Sequence, residues 1–180
     1  MGALGSLGLR RRAALWQAER AARPPGPLFA GHAPAPERSP LREMTVAERL
    51  VADYRGTGVT VGPHPMALRR PDCVRLGVTP AAGLAARASG ERVRVAGAVV
   101  VRQRPGTAKG FVFLSLEDET GIANAIVAPG LFARARATLV HEPFLLVEGV
   151  LQHEDGVIAV RATVVRALAA AAAVPSHDFH

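Results

Sequence analysis

Cysteine, lysine and aromatic residues are nearly missing from this 180-residue chain: one Cys, one Lys, and 4% Phe, Trp and Tyr together. The lone Cys73 excludes an internal disulfide framework and points to a reducing compartment. With Lys109 the only lysine, 21 of the 22 basic residues are Arg, the side chain suited to bidentate contact with phosphate and to stacking on rings. No apolar run approaches the ~20 residues needed to cross a bilayer. No secretory hydrophobic segment is present either, so a cytoplasmic protein without membrane association is expected. Met1-Gly2-Ala3-Leu4-Gly5-Ser6 fits the myristoylation pattern, but so loose a match is read instead as the start of a short helix. Gly-x-Gly-x-x-Gly and P-loop patterns are absent, and no nucleophile, base and orienter come together. The six histidines are scattered, and His177-x-x-His180 is the one pair with ligand-like spacing. No catalytic residue, metal ligand or cofactor is therefore assigned.

What is present is apolar material for one modest core, 49% of the chain, and a formal charge of +7. That charge is uneven. Residues 1–90 carry 13 Arg against 6 acids, whereas residues 91–180 carry 9 basic residues against 9 acids. Any phosphate contact in the second half must rest on local clustering, not on bulk charge.

Residues 1–22 read as an N-terminal helical segment with Leu7, Leu9, Leu15 and Trp16, and residues 23–43 as a Pro-rich linker, six prolines falling between 23 and 40. A helical and irregular connector follows over 44–90. There Thr45 and Glu48 form a capping box ahead of Val46, Leu50, Val51 and Tyr54 at helical spacing. From Glu91 the period becomes 2. A long strand runs to Arg104, with Gly97 where it would bulge or bend. A hairpin of Phe111–Glu117 and Ile122–Val127 follows, then a helix from Pro129 to Val140 with Leu131, Phe132, Ala135 and Leu139 inward. A second hairpin, Phe144–Gln152 and Val157–Leu168, precedes an Ala-rich tail, 169–180. This order, β-β-β-α-β-β, predicts a mainly β protein with flanking helices: a five-stranded Greek-key barrel of the OB type over 91–168.

Alternation assigns the faces. Val93, Val95, Val99 and Val101 point inward, and Arg92, Arg94, Arg102 and Arg104 outward. Val112, Leu114 and Leu116 form the inner set of the second strand, and Phe111, Phe113 and Ser115 the outer one. Asn124 joins the polar face from the third strand. Arg102, Arg104, Lys109, Phe111, Phe113, Ser115 and Asn124 thus form a candidate nucleic-acid-binding surface, where bases stack on rings, cations follow phosphates and the amide reads a base edge. The competing expectation is that the two rings pack beneath the N-terminal helices. Glu117-Asp118-Glu119 is read as a hairpin turn rather than a metal site.

Three runs carry a family likeness: Arg92-Val93-Arg94-Val95-Ala96-Gly97, the loop Val101-Arg102-Gln103-Arg104-Pro105-Gly106-Thr107-Ala108-Lys109-Gly110, and Leu116-Glu117-Asp118-Glu119-Thr120-Gly121-Ile122-Ala123-Asn124. Together they resemble the C-terminal OB domain of the bacterial error-prone, C-family DNA polymerase III alpha-type subunit. Ser6–Leu9 with Ala14-Leu15-Trp16, Val51–Arg55 with His64-Pro65, and Asp178-Phe179-His180 extend the likeness over nearly the whole chain. That family is far longer, and its palm, thumb and fingers, with the aspartates that hold catalytic metals, have no counterpart here. The resemblance implies a piece of a polymerase, whether split, truncated or separately encoded, that is non-catalytic alone. It would hold single-stranded DNA in translesion synthesis and repair, or dock partners of the damage-tolerance complex. The hairpin also resembles anticodon-binding domains of class II tRNA synthetases, which would place base contacts at Phe113 and Asn124 and make RNA the partner.

Overall fold

The computed structural model describes residues 8–22, 39–57, 60–154 and 156–168. The Met1–Ser6 pattern, the Pro-rich stretch from 23 to 38 and the tail with His177 and His180 lie outside them. The chain divides into two compact units, Met1–Arg49 and Leu50–His180.

In the first unit α1, Arg11–Ala22, buries Ala14 and leaves Leu15 exposed. The Arg20 guanidinium lies over the Trp16 ring at 4.7 Å. The capping box forms as the sequence indicates. The Thr45 N–H donates to Glu48 Oε2 at 2.8 Å and the Glu48 N–H to Thr45 Oγ1 at 3.2 Å, at the start of α2, Val46–Thr57. Arg12 reaches the same carboxylate at 3.1 Å. The Thr45 N–H and this guanidinium hold the Glu48 carboxyl below the usual carboxylate range.

The second unit is the barrel and its wrapping. Strands β1 (Arg92–Gln103), β2 (Val112–Asp118), β3 (Gly121–Val127), β4 (Phe144–Glu154) and β5 (Val157–Ala167) close in the order β1-β2-β3-β5-β4. Apart from the parallel β3–β5 pair, every pairing is antiparallel. This is the OB-type barrel that the element order predicts. Its interior is aliphatic, with Val93, Val95, Leu114, Leu116, Leu145, Val147, Leu151 and Val160 all at most 5% exposed. A further helix, Pro129–His141, adds Leu131 and Leu139 to that core. Pro129 sits in its first turn, where a missing N–H costs nothing.

β1 serves two partners, pairing with β4 from Arg92 to Ala98 and with β2 from Ala98 to Gln103. Gly97 marks the change of partner, but the bulge expected there lies elsewhere. A Cβ on Gly97 would stand 2.6 Å from the Glu117 carbonyl oxygen, so its task is close approach. The register shift falls between Val99 and Val101, where Val100 is the extra residue.

Residues 60–90 are more than a connector. Met66, Cys73 and Val78 join Leu50 and Leu168 over Ala96, Phe144 and Leu146 on the outer side of β1 and β4, making a second core. Burial pushes the Cys73 thiol up from its ordinary value. The wrapping segment is also pinned to the β2–β3 turn through Asp118, which is 4% exposed. Its carboxylate accepts from the N–H groups of Thr120 at 2.7 Å, Gly121 at 3.1 Å and Ala81 at 3.0 Å, and from Arg70 at 2.9 Å. Arg70 also holds Glu119. Burial alone would raise the Asp118 carboxyl, but the Thr120, Ala81 and Arg70 donors together hold it below its ordinary value. The charged hydrogen bond from Arg70 outweighs burial at Glu119 and lowers it too.

The folded carboxyls of Asp118 and Glu119 are depressed, so their stabilisation is complete above the unfolded values and lost as pH falls through the folded ones. Urea midpoints should therefore drop from pH 7 to pH 3, and Arg70→Met should lower the midpoint at pH 7 while shrinking that drop. Gly149, where a Cβ would lie 2.3 Å from the Arg161 carbonyl oxygen, should cost about 1–3 kcal/mol as Ala. Gly106→Ala, facing open space, should stay within about 0.5 kcal/mol in the same urea titrations.

Candidate nucleic-acid interface

The site is built on the alternation of β2. Val112, Leu114 and Leu116 are buried, while Phe111 and Phe113 are 36% and 38% exposed. Among the described residues neither ring is buried. Pairing carries this outer face sideways. Ser115 lies opposite Asn124, and Phe113 opposite Ile126 on β3. The Ser115 hydroxyl donates to Asn124 Oδ1 at 3.1 Å. That bond fixes the amide and leaves its NH₂, exposed, without a partner among the described residues.

On the β1 side the structure corrects the face assignment. One bulge residue reverses parity, so Val101 and Gln103, not Arg102, lie opposite Ser115 and Phe113. Val101, expected inward, is 37% exposed. Arg102 lies opposite Leu114, half-buried toward the barrel end, and donates to the Glu142 carbonyl just beyond the helix 129–141. Arg104 follows the same parity, with its guanidinium 4.9 Å from the centroid of the Phe132 ring of that helix. The two arginines therefore belong to the rim of the barrel beside the helix rather than to the open face with the rings.

The remaining cation, Lys109, stands in the β1–β2 loop just ahead of β2. A 3-10 turn, Gly106–Ala108, leads into Lys109 at φ 47° and Gly110 at φ 84°. The left-handed conformation costs a residue with a Cβ roughly 1–2 kcal/mol. It is held by the Phe111 N–H donating to the Ala108 carbonyl at 2.9 Å, and by Gly110 seated against Pro129. Lys109 is exposed next to Phe111. At the far end of β2, Glu117 stands 3.8 Å from His64 Nε2.

Sequence reasoning left Val101, Gln103, Ile122 and Ile126 out of the candidate surface: Gln103 and Ile126 flank Phe113, Val101 lies opposite Ser115 and Ile122 opposite Glu117. The signal for the first two was present: Val99-Val100-Val101 breaks a period-2 pattern, which is what an inserted residue does. Among the described residues no group of three His, Cys, Asp or Glu is placed to hold a metal ion, and none of their helices is long and apolar enough to cross a membrane.

A closed five-stranded barrel with this outer face is an OB-fold domain, and the family model described as "OB-fold nucleic acid binding domain" matches residues 93–168. The chain is similar over nearly its whole length to the C-terminal region of error-prone DNA polymerases, as the sequence resemblance indicates. The error-prone DNA polymerase of Anaeromyxobacter dehalogenans (strain 2CP-C) is 42% identical over 99% of this chain. That of Caulobacter vibrioides is 44% identical over 88% of it. The chain spans only 16% and 15% of these relatives' lengths. Among solved structures, asparaginyl-tRNA synthetase from Pyrococcus horikoshii complexed with asparaginyl-adenylate is similar at 27% identity and a TM-score of 0.40, over 46% of this chain and 20% of its own.

Asn124→Asp replaces the free NH₂ with an acceptor and adds a negative charge to the face. Any nucleic acid bound there should be held at least about fivefold more weakly, measured by fluorescence anisotropy, with thermal unfolding unchanged.

Proposed function

We propose that this chain binds single-stranded DNA through the β2–β3 face of its barrel, without catalysing a reaction by itself. The observation that carries the reading is the pair of exposed rings, Phe111 and Phe113, beside the Ser115–Asn124 pair. Each base stacked on such a ring contributes about 1–3 kcal/mol, and Asn124 offers two donors to a base edge. Lys109 supplies a phosphate contact at one end of the platform, with Arg104 on the neighbouring rim. Arg102, tied to the Glu142 carbonyl, acts as a positioning residue for the end of the helix that closes the barrel. The similarity to error-prone DNA polymerases supports a role beside a damage-tolerant polymerase core, where this face would hold unpaired template in translesion synthesis and repair. A cytoplasmic location accords with that role. RNA is the alternative partner, and competition between oligo-dT and oligo-U of equal length decides between them.

One observation favours a second reading. Val101 and Ile122, 37% and 57% exposed on the same face, give it an apolar rim, which suits docking of a partner protein of the damage-tolerance complex. The two readings separate under salt. Titration with labelled oligo-dT should give a log–log salt slope of about −0.7 per phosphate contact. Phe113→Ala should weaken binding roughly 5- to 100-fold at every salt concentration. Joint replacement of Arg104 and Lys109 by Ala should flatten the slope by about 1.4. Absence of binding to oligo-dT at low salt overturns the nucleic-acid reading and leaves the docking one.

A further inference from the structure

The outer face does not stop at β3. Following cross-strand partners from Phe113 leads to Ile126 on β3, Arg161 on β5, Val150 on β4 and Arg92 on β1. Directly paired residues share a face, so this is one continuous outward row. Gln103, the β1 partner of Phe113, lies eleven residues after Arg92 on the same strand. The row therefore winds round the barrel as a helix instead of closing into a ring. With strands about 4.8 Å apart, the four steps from Phe113 to Arg92 cover roughly 19 Å.

The row ends in a groove of about 610 Å³ lined by Gly77, Thr79, Arg87, Arg92, Arg94 and Glu148, among others. The arginines there are not equivalent. Arg94 is occupied, donating to the Leu76 carbonyl at 2.9 Å and pairing with Glu148 at 3.3 Å. Arg87 pairs with Glu91. Arg92 and Arg161 are exposed and carry no ion pair or hydrogen bond among the described residues. Two unneutralised guanidiniums thus flank Val150 along the row, while Glu148 is already balanced by Arg94 and, at 3.9 Å, Arg166.

We infer that Arg161, Arg92 and the groove beyond them form a second, phosphodiester-binding subsite that takes the backbone of the same single strand once it has left the aromatic platform. The inference rests on the proposed nucleic-acid reading and extends it from a platform to a wound path. A single strand is flexible enough to follow that curvature, and guanidinium groups recognise its phosphates without reading its bases. The surplus charge along the row is positive, which excludes a basic partner segment.

Length separates the two claims. The full chain is titrated by fluorescence anisotropy with oligo-dT of about 5 and about 15 nucleotides, within the usual range for one OB fold. The longer oligonucleotide should bind more tightly and with a steeper salt slope. Arg92→Ala with Arg161→Ala should weaken the longer one at least about tenfold, lower its slope by about 1.4, and leave the shorter unchanged. Phe113→Ala should weaken both. Both arginines are exposed, so thermal unfolding of the double variant should match the parent; Arg92→Gln with Arg161→Gln serves if it does not. Equal affinity for both lengths, or equal loss of both in the double variant, overturns the second subsite while leaving the platform standing. Failure of both lengths to bind overturns both claims. Displacement of the longer oligonucleotide by poly-glutamate as effectively as by unlabelled oligo-dT would reassign the row to acidic protein segments.

Discussion

A strand that must pair with β4 along its first half and β2 along its second cannot remain a regular ribbon. β1 meets that constraint by admitting one unpaired residue, Val100, just after the change of partner. The kink closes the barrel, and it also reverses which side chains the rest of the strand shows to water. Val101 and Gln103 reach the outer face beside Ser115 and Phe113, while Arg102 turns to the barrel end and Arg104 to the Phe132 ring. The composition of the candidate surface, rings and amides with cations at the margins, is a consequence of where that residue is inserted.

Wrapping decides which part of the barrel stays open. The segment from Met66 to Val78 covers the outer side of β1 and β4 around Ala96, Phe144 and Leu146. Asp118 fastens that segment to the β2–β3 turn, so the cover stops at the hairpin's end instead of spreading over Phe111 and Phe113. A buried carboxylate with this many donors is costly to lose. It sets the boundary between a face that builds the fold and a face left for a ligand.

Most of this barrel was legible in the residues themselves. Strict alternation in Val112–Leu116, the capping box at Thr45 and Glu48, and the Pro129 helix start are local signals, and each element lies within a few residues of its expected place. The face of Arg102 was not legible by the same rule, because period-2 counting carries one error through every later residue once a bulge intervenes. Asp118 reads in the sequence as part of a hairpin turn and nothing more. Its partners Arg70 and Ala81 are 48 and 37 residues away, and no spacing rule reports a bond of that range. The winding row through Arg161 and Arg92 depends on the pairing of all five strands, which only the closed topology supplies.

Lys109 has a consequence for chemistry at this surface. It is the chain's only lysine, and it projects from a left-handed loop position beside Phe111. Apart from the terminal amine, a reagent selective for primary amines therefore has a single address on this polypeptide, at the edge of the proposed platform. A dye or crosslinker attached there would report occupancy of that edge directly, with no engineered residue and no background from elsewhere on the barrel.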